Sequence, residues 1–243
     1  MSPARVSHET YSQVFDTAYV VLMTNALLAV ACLPILAVAL VTDPRTSWPL
    51  LALLAPTCAP ALVGAFAVFG TFSADGTTSV VRTFAAAWRR RLRPSLAVGA
   101  LAVGAVVVLG VDVRAVWGSR VGAVAIPVFV VLAALALAAT TLALVGLVEC
   151  TDLRVRDLLR AALYLGVRRW YLSAASLIVL GLLVTMVGTR PALGVGLAAA
   201  PLLYAVWANS RFALRPLLGE DGGAETGSRP DPGPGRGAEP LPA

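Results

Sequence analysis

The side chains that could hold a metal ion or attack a substrate are few in this sequence and lie far apart. Cys32 and Cys58 fall inside apolar runs, Cys150 follows another, and the single histidine, His8, lies near the N-terminus. Zinc sites and disulfide frameworks need cysteines or histidines at short, recurring spacings, and the sequence has no such spacing. We therefore expect neither a bound metal nor any other cofactor.

One glycine pattern resembles a nucleotide-binding motif. Gly194–Ala199 reads G-x-G-x-x-A, a dinucleotide fingerprint that requires a preceding strand and an acidic residue about 20 positions later. Here the pattern lies inside an apolar run, and the acids that follow, Glu220 and Asp221, fall in the C-terminal tail. Walker loops and the zinc-protease and serine-hydrolase motifs are absent from the sequence. We therefore predict a protein that is not an enzyme and not the ATPase of a transporter.

Arginine is the residue type whose spacing is most informative. All 19 basic residues are arginines, and many of them fall in two segments, residues 79–95 and 150–170, that lie between apolar runs. A net charge of +6 in a soluble protein would suggest nucleic-acid binding. Basic residues that border apolar runs instead set membrane topology and meet anionic lipid headgroups. We expect headgroups, and no nucleic acid, at these arginines.

Both basic segments are predicted to be amphipathic and to lie at the membrane surface, the first of them as a helix that ends at Pro94. The predicted apolar faces comprise Val80, Phe84, Trp88 and Leu92 in the first segment and Leu159, Leu163, Gly166 and Trp170 in the second. The residues expected to contact the membrane surface or a partner are Arg82, Phe84, Trp88, Arg89, Arg90, Arg91, Arg93, Arg154, Arg160, Arg168, Arg169 and Trp170.

The apolar runs are long enough to span a membrane. The chain of 243 residues is 58% hydrophobic and 13% charged, with a mean hydropathy of +0.83, whereas soluble domains carry about 25% charged residues. A spanning helix needs about 20 apolar residues. We therefore predict an all-α, polytopic α-helical membrane protein with six transmembrane helices and two basic amphipathic cytoplasmic segments. The expected spans are residues 17–41, 49–72, 95–113, 121–148, 171–188 and 191–208.

These spans define the expected domain organisation. Residues 1–16 form a polar N-terminal tail, 17–216 the membrane domain, and 217–243 a tail rich in Gly, Pro and acids that we expect to be disordered. Ala37–Ala39 resembles a signal-peptide cleavage site, so removal of the first span is an alternative. The first apolar run is longer than the 7–15 residues of a signal peptide, which favours a retained span.

The arginines predict an orientation. Arg45, Arg114, Arg120 and Arg190 lie between spans on one side, and all other arginines lie on the side of the two basic segments and both tails. Because short cytoplasmic loops are enriched in arginine and lysine, the arginine-rich side is expected to be cytoplasmic. We predict a multi-pass protein of the bacterial plasma membrane with both termini in the cytoplasm.

A few polar residues and prolines interrupt the spans. Asn25, Thr57 and Pro60 are expected intramembrane polar contacts, which we interpret as helix–helix contacts in preference to substrate ligands. Pro56 and Pro60 predict either a packed kink or a broken helix of the kind found in transporters. Charged residues are absent from the span centres, which argues against proton-coupled transport.

Three stretches of the sequence resemble the YesL family of bacterial membrane proteins. They are Met23–Leu28 around Asn25, the Pro-Ala step within Ala59–Phe66, and the aromatic-basic stretch Thr83–Arg90. The shared layout of short outer loops and basic inner segments covers residues 15–215. The sequence departs from the family at Ala26, where an aromatic residue is typical.

The resemblance implies a role rather than a reaction, because members tend to be encoded beside carbohydrate-uptake ABC transporters and glycan-degrading enzymes. An accessory protein for sugar uptake would bind the lipid bilayer, anionic lipid headgroups and the permease or ATPase subunits of an ABC transporter. The alternative is a small solute transporter or channel that acts on its own.

Overall fold

The computed structural model describes residues 3–43, 45–76, 79–150 and 154–218, and side chains only from residue 15 to residue 215 within those ranges. All regular structure in the described residues is helical. The helices are α1 (Pro3–Ala31), α2 (Leu33–Val41), α3 (Trp48–Leu54), α4 (Cys58–Asp75), α5 (Val80–Val116), α6 (Gly122–Glu149), α7 (Val155–Arg168), α8 (Trp170–Thr189), α9 (Pro191–Leu193) and α10 (Ala199–Leu218). A 3₁₀ turn, Ala55–Thr57, joins α3 to α4, and a π turn, Gly194–Ala198, joins α9 to α10.

The apolar helices confirm the predicted fold class. Five helical stretches in the described residues are long and apolar enough to cross a membrane, and a sixth is made by Phe15–Ala31 together with Leu33–Val41 if this bent pair counts as one span. The protein is thus an all-α polytopic membrane protein. The tails differ from expectation at their edges, because α1 begins at Pro3 and α10 continues to Leu218. The rest of the predicted disordered tail lies outside the described residues.

Prolines lie at the irregular points of two of the spans. The first span bends by 68° at Cys32, just before Pro34, which has no N–H to donate to the preceding turn. Pro56 lies in the 3₁₀ turn of the second span. Pro60 was expected to interrupt that helix, but it lies in the first turn of α4, where a missing N–H costs little. The packed kink in the second span therefore centres on Pro56.

Helix α5 is continuous, contrary to the prediction that Pro94 ends the first basic segment. It runs through Pro94 for 37 residues and joins the arginine-bearing segment directly to the third span. The hydroxyl of Ser95, which is fully buried, donates to the carbonyls of Arg91 (2.6 Å) and Leu92 (3.1 Å). The carbonyl that Pro94 itself leaves without an N–H donor is that of Arg90, and the Ser95 hydroxyl adds hydrogen bonds to the two carbonyls that follow it.

The arginine-bearing part of α5 runs obliquely across α4. A Cβ added at Gly99 would lie 2.8 Å from that of Ala59, and one added at Gly64 would lie 2.9 Å from the Phe84 ring. These contacts are about 7 Å apart along α4 but about 22 Å apart along α5, at 1.5 Å per residue. The two helices therefore cannot stay antiparallel and side by side over this length.

Buried side chains concentrate in the arginine-bearing half of the bundle. On the described side chains, α2 and α3 bury none, α8 buries only Ser176, and α5 buries none beyond Ala102. In α6 the buried side chains are mostly in the last turns, from Ala138 onward. The protein core therefore lies near the arginine-rich end, and the helices of the other half present their apolar side chains outward.

Helix α7 packs on the rest of the protein with one face and leaves part of its predicted apolar face exposed. Leu158, Ala162, Leu165 and Gly166 are its buried residues. Leu163 and Trp170, which belong to the apolar face predicted to lie at the membrane surface, are exposed, and Trp170 is 71% exposed.

Candidate functional site

A groove between α4, α5 and α6 has a volume of about 470 Å³. One side is a stripe of α5 at helical spacing, formed by Ser79, Arg82, Thr83, Ala86, Ala87, Arg90 and Arg91. The facing wall is apolar and is formed by Val63, Ala67, Leu147 and Val148. The groove therefore has a basic rim on α5 and an apolar floor.

The groove is open because its central residues are small. Ala86 and Ala87 occupy the middle of the α5 stripe, and Ala67 faces them from α4. The large side chains of α5 point elsewhere, since Phe84 is only 6% exposed and packs against Gly64. Three alanines where bulky residues would close the gap leave a space of the size that small-molecule sites have, about 300–1,000 Å³.

The groove is electropositive. Arg82 and Arg90 are exposed and Arg91 is half-buried. No carboxylate in the described part of the chain forms an ion pair with these three arginines, and no acidic residue lines the groove. Guanidinium groups bind phosphate and carboxylate oxygens in a planar, two-bond geometry. The arrangement is chemically suited to an anion that carries an apolar portion.

The structure divides the predicted contact residues of the first segment into three groups. Arg82, Arg90 and Arg91 line the groove, while Arg89 and Arg93 are exposed and lie outside it. Phe84 and Trp88 were predicted to contact the membrane surface or a partner, but they belong to the protein interior. Phe84 is part of the core, and the half-buried Trp88 packs against it.

The second segment forms a separate surface. Arg154, Arg160, Arg168 and Trp170 are exposed, as expected of surface contacts, and none of them lines the groove. Arg169 has an internal role, because its Nη1 donates to the carbonyl of Phe212 at 2.9 Å and its guanidinium lies 5.6 Å from the centre of the Phe212 ring. This arginine ties the start of α8 to α10.

Asn25 makes the contact that was predicted for it, with a backbone partner. Its Nδ2 donates to the carbonyl of Gly196 at 3.0 Å, and its Oδ1 accepts from the N–H of Ala200 at 2.6 Å. In an unbroken α-helix these two backbone groups would bond to each other. The side chain, 1% exposed, therefore replaces the bond that is missing at the π turn and joins the first span to the last.

Thr57 forms its hydrogen bond within its own span. Its hydroxyl donates to the carbonyl of Leu54 at 2.6 Å, within the same kinked helix. The neighbour of Asn25, Thr24, is fully buried, and its hydroxyl has no hydrogen-bond partner in the described residues. The polar contacts within the spans are therefore mainly structural.

Sequence analysis missed a polar cluster around Glu149. Its Oε1 accepts from Trp207 Nε1 at 3.1 Å, and its Oε2 lies 3.7 Å from Arg211 Nε, whose guanidinium lies over the Trp207 ring. Burial and, second, the charge of Glu149 raise the pKa of the adjacent Cys150 thiol, so this cysteine is a poor nucleophile. The sequence did contain a signal for this cluster: Trp207 and Arg211 are four residues apart on the last helix, so their side chains lie on the same face.

Within the described residues, no cluster of three or more metal-ligating side chains is present, and the cysteines are free thiols. Comparison with protein-family models, curated proteins and solved structures gave no match.

Proposed function

We propose that this protein is a non-enzymatic accessory protein of a bacterial plasma membrane, similar to the YesL family, with its arginine-rich end and both termini in the cytoplasm. Its task would be to bind an acidic surface of a carbohydrate ABC transporter, on the permease or the ATPase subunit. The exposed arginines of α5 and α7 support the proposal, because the two helices flank the same end of α6 and offer guanidiniums to a partner and to anionic headgroups.

The observation that carries the proposal is the pair Arg89 and Arg93. These side chains are one turn apart on α5, are exposed, and lie outside the groove. No carboxylate of the described residues pairs with them. Interfaces are enriched in arginine relative to the rest of the surface, and a positive patch speeds encounter with an acidic partner.

Affinity purification from native membranes in a mild detergent, followed by mass spectrometry, tests the proposal. We expect permease or ATPase subunits to co-purify in near-stoichiometric amounts. The double variant Arg89→Gln/Arg93→Gln should reduce their recovery about fivefold or more. The matched control Arg45→Gln/Arg120→Gln removes the same charge from the opposite end and should leave recovery unchanged. Recovery of the protein alone as a homo-oligomer would contradict the accessory role.

A solute transporter or channel that acts alone is the second candidate, and the helix interruptions favour it. Span one bends by 68° at Cys32, span two contains a 3₁₀ turn and span six contains a π turn. Broken helices and π turns often accompany ligand sites in membrane transporters. Flux of sugars or ions into vesicles that contain the purified protein, above the flux into empty vesicles, would support this function; equal fluxes would count against it.

A further inference from the structure

We propose that the groove between α4, α5 and α6 is a binding site for one anionic phospholipid. Its phosphate would lie among Arg82, Arg90 and Arg91, and the start of an acyl chain would lie on the apolar floor. The inference rests on one part of the proposed function, that the arginine-rich end faces anionic headgroups. It does not require an ABC transporter partner.

The charge of the groove selects an anion. Arg82, Arg90, Arg91 and Ser79 lie on one wall, and none of the described residues of the opposite wall is acidic. Arg82 and Arg90 are eight residues apart, about 12 Å along the helix, so they border the two ends of the small-residue stretch. An anion between them can be contacted by a guanidinium from each end of the groove, whereas a single exposed arginine offers only one such contact.

The position of the groove favours a lipid. Val148, in its floor, precedes Glu149, the residue at which the apolar run of α6 ends. Ala67, also in the floor, is one turn from Gly70, where an added Cβ would lie 3.5 Å from Glu149 Oε1. The groove therefore lies at the boundary between apolar and polar residues, which is the level of phosphates in a bilayer. Basic pockets between transmembrane helices at this level bind anionic headgroups.

The apolar floor distinguishes a lipid from a free anion. Val63, Ala67, Leu147 and Val148 offer an inorganic phosphate or a sugar phosphate no favourable contact. Val63 and Leu147 are already buried, but a methylene chain laid on the half-buried Ala67 and Val148 removes their apolar surface from water. The floor also belongs to helices that continue into the apolar part of the bundle, so an acyl chain can leave the groove without entering water.

The test measures how three probes bind to the purified full-length protein. The probes are short-chain phosphatidylglycerol, phosphatidylcholine with the same chains, and glycerol phosphate. Binding is read as the shift of the thermal unfolding midpoint during titration. We expect phosphatidylglycerol to stabilise the protein at concentrations at which the other two probes have little effect. Equal effects of phosphatidylcholine would show that charge is not recognised, and equal effects of glycerol phosphate would show a free-phosphate site; either result overturns the proposal.

Two double variants of the same helix separate a built site from general attraction. Arg82→Gln/Arg90→Gln should weaken phosphatidylglycerol binding about 10- to 30-fold, given the contribution of each arginine near an anionic surface. Arg89→Gln/Arg93→Gln removes the same charge outside the groove and should weaken binding less than twofold. Equal weakening in both variants would mean that the lipid is attracted by net charge alone.

A third variant keeps every charge. Ala86→Leu fills the middle of the groove from an exposed position of α5 and should weaken lipid binding about fivefold or more. If a groove variant fails to fold, native mass spectrometry of the unmodified protein decides the question, because the proposal requires a retained anionic lipid. If no transporter subunit co-purifies but phosphatidylglycerol still binds, the accessory role is disproved and the lipid site is not.

Discussion

Asn25 shows how one side chain can hold two distant spans together. It lies 171 residues from Gly196 and 175 from Ala200 in the sequence, and its carboxamide satisfies one backbone group on each. Pro201, directly after Ala200, has no N–H and disturbs the same turn. The side chain therefore repairs a helix that the proline and the π turn have opened.

We predict that Asn25→Leu, which keeps the approximate shape of the side chain, destabilises the folded protein by about 1–3 kcal/mol. Both backbone partners would then be buried without a hydrogen bond. The measurement is the unfolding midpoint in detergent. Thr185→Val is the matched control, because Thr185 is exposed and its hydroxyl bonds only within its own helix. A loss no greater than that of the control would refute the role assigned to Asn25.

A residue-level feature can be predicted where one property of one residue decides the outcome. A lone amide in an apolar run has to find a polar partner, so a contact at Asn25 was predictable. Its partner was not, because the free backbone groups of Gly196 and Ala200 exist only once the π turn has formed. The groove was also unpredictable, since it depends on alanines of two helices meeting in space.

At the scale of elements, glycines permit the closest crossings. Gly64 lies against the ring of Phe84, and Gly99 lies against Ala59, so the oblique path of α5 over α4 depends on two missing side chains. Which residue each glycine contacts depends on how the two helices meet in space. The direction of α5 beyond Pro94 is set by packing, which local sequence does not encode.

We predict that Gly64→Ala destabilises the protein by about 1–2 kcal/mol, because the new methyl group would meet the Phe84 ring at 2.9 Å. Gly104→Ala and Gly181→Ala are controls, since an added Cβ meets nothing within 4 Å at either position. They should be neutral or stabilising by up to about 1 kcal/mol. Phe84→Leu, combined with Gly64→Ala, should recover part of the loss. Thermal unfolding in detergent measures the stability of all these variants. If the effects of Gly64→Ala and Phe84→Leu on stability were simply additive, the contact between the two residues would be contradicted.

Basic segments that look alike in sequence became different elements. The first is the continuous start of the long helix α5, whereas the second is the separate helix α7, which ends at Arg168 before α8 begins at Trp170. Charge and periodicity predicted amphipathic segments in both places. They did not reveal that the first would continue into a span and that the second would be separated from the next span at Arg169.

At the scale of the whole molecule, hydropathy was a sufficient guide to fold class and to most spans. The bend at Cys32 remained hidden because it falls within a single apolar run. The bend matters for topology, since the chain crosses the membrane six times if the bent pair is one span and five times if it is not.

We predict six crossings, with both termini on the cytoplasmic side. A green fluorescent protein fused to either terminus should fluoresce, because that reporter folds in the cytoplasm. Alkaline phosphatase inserted near Arg45, near Trp117 or at Arg190 should be active, because that enzyme needs an oxidising compartment. A terminus pair on opposite sides would establish five crossings, and two external termini would overturn the orientation inferred from the arginines.

The hydrogen bonds between Asn25 and the last span also constrain the order of events during biosynthesis. The ribosome makes Gly196 about 10 to 35 seconds after Asn25, at 5–20 residues per second. During that interval the first span resides in the translocon or the lipid with a polar side chain that has not yet met its acceptor and donor. The first span can therefore form its hydrogen bonds to the last span only after residues 196–200 have been synthesised, and a chain truncated before them would lack these two bonds.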